Sequence, residues 1–422
     1  MRVLIVNTSE RTGGAAVAAN RLMKALNNHG IKAKMLVRDK ETDSLTVSAL
    51  PRSPWLRWNF LWERLVIFVR CHFSRKHLFE IDLANTGSDI TRLREFQEAD
   101  IIHLHWINQG MLSLNSIRKI LRSGKPVVWT MHDIWPATAI CHVTLGCRHF
   151  TTRCYGCRLL GKGDGDDLST TVWQRKRRML NDENIFFVAC SRWLESEAKA
   201  SALLKGHKIT SIPNPIDTHI YNRCHKKEAR ERLRLPQDRR LILFSSQRVT
   251  TPLKGMDYLI EACQLLGDLT KSQTPYEVVI LGGHAEEVVE QLPLKAHPLG
   301  YVNEEQRIVD VYNAADVFVL PSLSENLPNT IMEAMACGLP CVGFKVGGIP
   351  EEIDHKQNGY VADYRSAEDL ARGIQWILNE ADYESLSRNA IQKVVRNYSQ
   401  QSVALRYAEV YQQAMAFKHY KL

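Results

Sequence analysis

Two glutamates eight residues apart, Glu325 and Glu333, flank a turn that runs directly into a helical pattern. Pro328 cannot sit inside that helix, Asn329 or Thr330 can cap it, and Gly338 ends it ahead of Pro340. Glu325 therefore belongs to the loop and Glu333 to the first helical turns, beside an N-terminus whose free amides and dipole favour anions. Carboxylates accept from sugar hydroxyls while backbone amides face phosphate. The segment, with Asn326 in its turn, suits a polyhydroxylated, phosphorylated ligand such as a sugar nucleotide. Arg248 and Lys254 lie six residues apart around a flexible turn and can both reach one diphosphate. Spacing alone makes each pair a weak signal; placement on loops that follow strands strengthens both.

Two loops of the first half carry further candidates. Asn7 to Ala16 contains Gly13-Gly14, which lets the backbone approach a bound group closely before a helix supplies free amides. It lacks G-x-G-x-x-G spacing, so no dinucleotide fingerprint is present, and a plain tight turn explains the glycines equally well. Thr130 to Trp135 places His132 just past a strand, where an imidazole can orient a hydroxyl or act as an acid or base near neutral pH. Asp133 is placed to fix its tautomer. His103 and His105 end the neighbouring strand on one face, with His105 nearer the cleft, a candidate for its acceptor side should the chain transfer a group.

The elements that must position these residues read as alternating short apolar runs and helical patterns, the mark of parallel α/β architecture. Strands are predicted at 2–7, 33–37, 100–105, 126–131, 185–190, 208–212, 241–246, 277–281, 316–320, 340–344 and 359–362. Helices are predicted at 15–29, 112–123, 168–182, 193–204, 255–267, 304–314, 329–337, 366–379, 382–397 and 400–417. The expectation is two doubly wound, Rossmann-like domains, 1–215 and 216–399, meeting near the Pro-punctuated segment 212–217 with a cleft between them. The stretch 400–417 is free to pack back on the first domain. Ligands of such sheets collect at strand C-terminal ends, where all four loops lie.

Length and composition agree. A chain of 422 residues is too long for one core and divides naturally into two domains. Apolar residues at 45% and charged residues at 24% are ordinary for globular chains. A net charge of +9 admits nucleic acid, anionic lipid or phosphorylated partners. The densest basic runs, 226–240 and 175–178, hold almost no aromatic residues, which argues against nucleic acid. No secretory signal is visible, and no segment approaches the roughly 20 apolar residues of a spanning helix. Ten cysteines without a signal read as cytosolic thiols. A cytoplasmic protein is expected.

Cys141, Cys147, Cys154 and Cys157 fall within seventeen residues just after His132-Asp133. Four thiolates can close a tetrahedral zinc site, yet only one Cys-x2-Cys knuckle is present, so structural zinc and ordinary buried thiols both stand. Between Trp55 and Phe73, Trp55, Trp58, Trp62, Leu65, Val66, Val69 and Phe73 share one helical face, with Arg57 and Arg64 opposite. Arg70, His72, Arg75 and Lys76 lie near or past the end. The pattern over 55–76 fits a helix lying on an anionic membrane surface, or one packed on its own domain.

Taken together, the residues resemble the family 4 retaining glycosyltransferases of the GT-B fold over nearly the whole chain. Glu325 to Glu333 matches the family's E-x7-E pattern, followed by Gly347-Gly348-Ile349-Pro350-Glu351, and Arg248 with Lys254-Gly255 matches its diphosphate pair. The run from Ala99 to Trp106, the segment His132 to Pro136 and the cysteine cluster are similar to bacterial exopolysaccharide-assembly (colanic-acid-type) members. The resemblance implies that Glu333 holds the nucleotide ribose and Glu325 the transferred sugar. It further implies that Arg248 and Lys254 neutralise the departing diphosphate, Gly13-Gly14 lies against donor phosphate or acceptor, and His132 contacts the sugar near the reacting centre. Asn326, Asn329 and Thr330 fall in the donor-binding segment. The family's usual Glu-Gly-Phe-Gly loop is Glu325-Asn326-Leu327-Pro328 here, so contacts to the donor sugar transfer less readily than those to the diphosphate. The implied reaction moves a sugar, with retention, from a nucleoside-diphosphate-sugar to a glycan acceptor that is lipid-linked. No metal is needed for catalysis if Arg248, Lys254 and the helix N-terminus suffice, and no clear Asp-x-Asp motif sits at a strand end. The rivals are a non-catalytic sugar-nucleotide binder and a GT-B sugar-nucleotide epimerase.

Overall fold

The computed structural model describes residues 1–161, 165–181, 185–269 and 275–419. The chain divides into two compact units, one of Met1–Asn214 with Val403–Leu422 and one of Pro215–Ser402. Both are built on fully parallel sheets, the doubly wound α/β class expected from the alternating pattern.

Unit 1 holds seven strands: β1 (Arg2–Ser9), β2 (Lys32–Asp39), β3 (Val47–Ala49), β4 (Ile101–Leu104), β5 (Val127–Met131), β6 (Ile185–Ala189) and β7 (Lys208–Ser211). Their order is β3-β2-β1-β4-β5-β6-β7, so the winding reverses between β1 and β4. Alternation along β1 sends Leu4 and Val6 into one apolar cluster and Val3 and Ile5 into the other. On the second face lie helix α1 (Gly14–Asn28) and the helix Gln400–His419, which contributes Val403, Tyr407 and Tyr411. The Tyr411 hydroxyl meets His103 Nδ1 at 2.8 Å, and the Tyr407 hydroxyl meets Thr130 Oγ1 at 2.8 Å.

Unit 2 holds β8 (Arg240–Arg248), β9 (Tyr276–Gly283), β10 (Ala296–Gly300), β11 (Val317–Leu320), β12 (Cys341–Phe344) and β13 (Gly359–Ala362). Their order is β10-β9-β8-β11-β12-β13, and the reversal falls between β8 and β11. The edge strand β3 and the edge strand β10, whose sequence Ala-His-Pro-Leu-Gly is poor in strand formers, carry no clear pattern in the sequence.

Helix α2 (Pro54–Arg70) forms where the aromatic periodicity places it. It starts on Ser53, whose hydroxyl caps Trp55 N, with proline at the first position. Its orientation differs from the expected one at one residue. Arg64, read as part of a solvent-facing polar side, is 6% exposed and neighbours the fully buried Glu63. Trp55, Trp58 and Trp62 face outward, 72%, 60% and 52% exposed.

Candidate functional site

Each unit carries its own cluster of candidate residues at the reversal point of its sheet, where open parallel sheets collect ligands.

In unit 2, Arg248 ends β8 and Lys254 lies on the short turn Pro252–Lys254, while Glu325 follows β11. Lys254 Nζ pairs with Glu325 Oε1 at 2.5 Å. Arg248 is exposed, its Nε donating to Thr250 Oγ1 at 3.1 Å. Backbone contact fixes these turns. Gly255 sits at φ +72°, and a Cβ there would lie 1.9 Å from the Pro321 carbonyl oxygen. Gly347 sits at φ +57°, and a Cβ there would lie 1.7 Å from the carbonyl oxygen of Glu325 itself. Three turns thus meet at distances only glycine permits.

The helix Asn329–Ala336 begins with Pro328 at the cap position, and no side chain caps it there. Asn329 and Thr330 are therefore first-turn residues, not the caps expected from the sequence, because Pro328 with extended backbone already occupies that place. An N-terminus without a side-chain cap keeps its dipole and amides for an anion. Glu333, one turn in, is 8% exposed and accepts from the Tyr312 hydroxyl at 2.8 Å. Glu352, which sequence reasoning missed, is fully buried, and neither carboxyl oxygen has a hydrogen-bond partner among the described residues. Burial, reinforced by the charge of Glu325, raises its pKa well above the ordinary carboxylate value.

In unit 1, the ends of β1 and β4 are tied together: Trp106 N donates to Asn7 Oδ1 at 2.9 Å and Thr8 N to the Trp106 carbonyl at 2.8 Å. Gly13, at φ +94°, precedes helix α1 with no side-chain cap, and Gly14 is its first residue. The preceding amides are already engaged: Glu41 Oε1 accepts from Arg11 N at 3.2 Å and Thr12 N at 3.1 Å.

His105 and His132 come together, Nδ1 to Nε2 at 2.9 Å, with their rings stacked 5.1 Å apart. His132 Nδ1 faces Cys190 Sγ at 3.4 Å. Burial lowers the His132 pKa to about 4, and burial with the neighbouring imidazoles lowers that of His105 well below its ordinary value, so both are neutral near pH 7. A neutral ring suits orientation of a hydroxyl rather than proton exchange near neutrality, one of the two roles expected from its position. His105 Nε2 is buried without a hydrogen-bond partner among the described residues.

Asp133 is committed away from the tautomer-fixing role expected for it. Its carboxylate accepts from Trp106 Nε1 at 3.0 Å and Trp135 N at 2.9 Å, and meets His142 Nδ1 at 2.7 Å. His142 Nε2 meets Asp82 Oδ2 at 2.6 Å. Burial disfavours the His142 cation, but the two carboxylates, Asp133 first, outweigh it and lift the pKa to about 10. His142 and Asp82 had no separate signal in the sequence, since no local spacing joins them to Asp133.

The thiols of Cys141, Cys147, Cys154 and Cys157 are free and line one cavity of about 440 Å³. Among the described residues, no group of three or more His, Cys, Asp or Glu side chains is gathered as a metal site. Burial pushes the Cys154 thiol up to about 12 and the Cys157 thiol to about 11. Also among the described residues, no helix is long and apolar enough to cross a membrane.

Comparison with known proteins agrees with this architecture. A family model for glycosyltransferase family 4 matches residues 12–220, and one for glycosyl transferases group 1 matches residues 225–393. A D-inositol 3-phosphate glycosyltransferase of Thermobispora bispora is 25% identical over 338 residues, 76% of this chain and 72% of that protein. Sucrose-phosphate synthase of Thermosynechococcus elongatus superposes with a TM-score of 0.68 at 17% identity, covering 99% of both chains. The Anabaena protein HepE, in complex with UDP and glucose, superposes with a TM-score of 0.64 at 17% identity, covering 98% of this chain and all of that one. With both units matched by glycosyltransferase models and the whole chain by GT-B structures, the protein belongs to the family 4 type of GT-B glycosyltransferases.

Proposed function

We propose that the protein transfers a sugar, with retention, from a nucleoside-diphosphate-sugar to a lipid-linked glycan acceptor in the building of a cell-surface or exopolysaccharide chain. The observation that carries the donor half is the unit 2 cluster: two cations, Arg248 and Lys254, beside a helix start without a side-chain cap and two carboxylates. A diphosphate takes Lys254 from Glu325, which leaves that carboxylate to accept from sugar hydroxyls. Asn326 in the adjoining turn offers an amide to the same sugar, and Glu333 accepts from the ribose. Leaving-group charge is then met by preorganised cations and amides, the kind of group that contributes most to such a step. These groups make transfer independent of a metal ion, to be checked as activity that survives a chelator. In unit 1, Gly13, Gly14, His105 and His132 form the acceptor side, and the partnerless Nε2 of His105 is the supporting observation there. The deciding experiment is a thermal-shift screen against UDP-, GDP- and dTDP-sugars, followed by transfer assays with the stabilising one. Stabilisation by none of them would end the donor assignment, and stabilisation without turnover would favour a non-catalytic binder.

The lipid-linked acceptor rests on helix α2. Its tryptophans project outward, Phe73 beyond it is 69% exposed, and exposed Arg57, Arg70, Arg75 and Lys76 surround them. Aromatic residues with a basic fringe suit an anionic bilayer surface. Trp58→Glu with Trp62→Glu is expected to abolish co-sedimentation with anionic liposomes, and unchanged binding would sink the idea.

A further inference from the structure

Surface helices of globular proteins turn their apolar stripe inward; helix α2 does so with Leu56, Val66 and Ile67, yet it carries a second, aromatic face outward and buries charge beside the first. Trp55, Trp58 and Trp62 face solvent, while Glu63 and Arg64 are buried. Those buried charges reach toward the acceptor-side loops. Glu63 Oε1 accepts from Leu83 N at 2.8 Å and Ala84 N at 2.7 Å. Arg64 donates to the Leu78 carbonyl at 2.5 Å and pairs with Asp82 Oδ1. The other oxygen of Asp82 holds His142 at 2.6 Å, and His142 holds Asp133 at 2.7 Å. Asp133 directly follows His132. Charge therefore alternates without a gap from the helix to the loop: Arg64, Asp82, His142, Asp133. A second contact runs beside it. Gly110, at φ +77° in the loop after β4, comes so close that a Cβ would lie 2.7 Å from Phe60 N of the helix.

We propose that helix α2 is a positioning element for the transfer reaction, and that the buried chain Arg64–Asp82–His142–Asp133 passes engagement of its outer face by an anionic lipid surface to the loop bearing His132. The inference rests on the membrane-facing reading of α2 given above. The physical reason is that opening a link leaves a largely desolvated charge short of one of its partners. Displacement of the helix is therefore felt at the loop. A bilayer that restrains the helix lowers the remaining entropy of the loop, and coupling of that kind needs no change of mean structure.

Hydrogen–deuterium exchange of the intact protein tests this without an assigned substrate. Vesicles of phosphatidylglycerol with phosphatidylcholine are compared with vesicles of phosphatidylcholine alone. With the anionic vesicles, exchange is expected to slow in residues 55–70 and, by about fivefold or more, in 131–143, the lower end of ordinary coupling between two sites. Asp82→Asn and Arg64→Met are each expected to keep the slowing in 55–70 and lose it in 131–143. Slowing confined to 55–70 in the unaltered protein, or retained in 131–143 by either folded variant, overturns the proposal. Absence of slowing in 55–70 overturns it together with membrane docking. The unaltered protein alone decides the matter if neither variant folds. Donor binding, scored separately by thermal shift, distinguishes failure of this coupling from failure of the glycosyltransferase reading.

Discussion

The two units hold the charge of their candidate clusters by opposite means. In unit 2 the charges stand at the rim: Arg248 is exposed and the Lys254 side chain is 31% exposed. The backbone positions them, through glycines that let three turns touch. In unit 1 the charges are interior and position one another, Arg64 through Asp82 and His142 to Asp133. Rim charges can exchange one partner for another at little cost, because water screens each state. Charges largely withdrawn from water exchange partners at greater cost, since water compensates a lost contact less. The first arrangement suits capture and release of a charged ligand, and the second suits a geometry that has to persist.

The most severe way to strain this contrast is to remove an interior link. Asp82→Asn leaves Arg64 and His142 buried with a neutral partner and is expected to cost unit 1 about 3–5 kcal/mol in denaturant unfolding. A loss below about 1 kcal/mol would make the chain no different from a surface network. At the rim the balance is reversed. Lys254→Ala is expected to lower transfer about 10²–10³-fold while moving the unfolding temperature by no more than a few degrees, as for loss of a partly exposed pair worth about 1 kcal/mol. Glu333 lies between the extremes. Glu333→Gln keeps an acceptor for the Tyr312 hydroxyl, so nucleotide-sugar affinity should fall by about 1.5–3 kcal/mol, the worth of a charged hydrogen bond, with the fold intact. Glu333→Ala would also orphan that buried hydroxyl and unfold more readily.

The pH dependence sharpens the interior side. His142 is raised to about 10 from its ordinary 6.5, so its stabilisation is complete below pH 6.5 and is lost as pH rises through about 10. Lys176 is fully buried and lowered by that burial to about 7 from 10.5. The penalty for its charge is complete below pH 7 and is relieved as pH climbs toward 10.5. The two oppose each other in one unit over one window. Replacing His142 by Gln leaves only the rising arm, so between pH 7 and 10 the unfolding free energy of the variant should climb relative to the unaltered protein. The smallest effect is expected at the outer face of α2. Trp58→Glu should change stability by no more than about 0.5 kcal/mol, because its side chain is largely in water already.

The same contrast explains what the sequence discloses. In unit 2 the candidate residues lie on short consecutive stretches, 248–255 and 325–333, so turn chemistry and helix signals place them directly. Glu352 escaped notice because nothing in Pro-Glu-Glu-Ile tells which glutamate turns inward. In unit 1 the partners lie far apart in the chain: Arg64 and Asp82 are 18 residues apart, and Asp82 and His142 are 60 apart. No periodicity links them. Helix α2 shows the limit at one residue, since the 3.6-residue repeat finds its two faces without saying which faces the interior. The alternating α/β pattern and the strands around each reversal point were legible because short, nearly unbroken apolar runs carry them. The strands β3, only three residues long, and β10, whose Ala-His-Pro-Leu-Gly is poor in strand formers, were not.

Tyr407 and Tyr411 close the interior of unit 1 against partners 277 and 308 positions earlier, Thr130 and His103. A ribosome working from the first codon therefore emits the whole of unit 2 before the final layer of unit 1 exists. Until then His103 and Thr130 lack those hydroxyl partners and the face formed by Val3, Ile5 and Val128 is incompletely covered. The first half of the protein to be translated is accordingly the last able to finish folding, and a stop codon near residue 400 should disable the half farthest from it in the message.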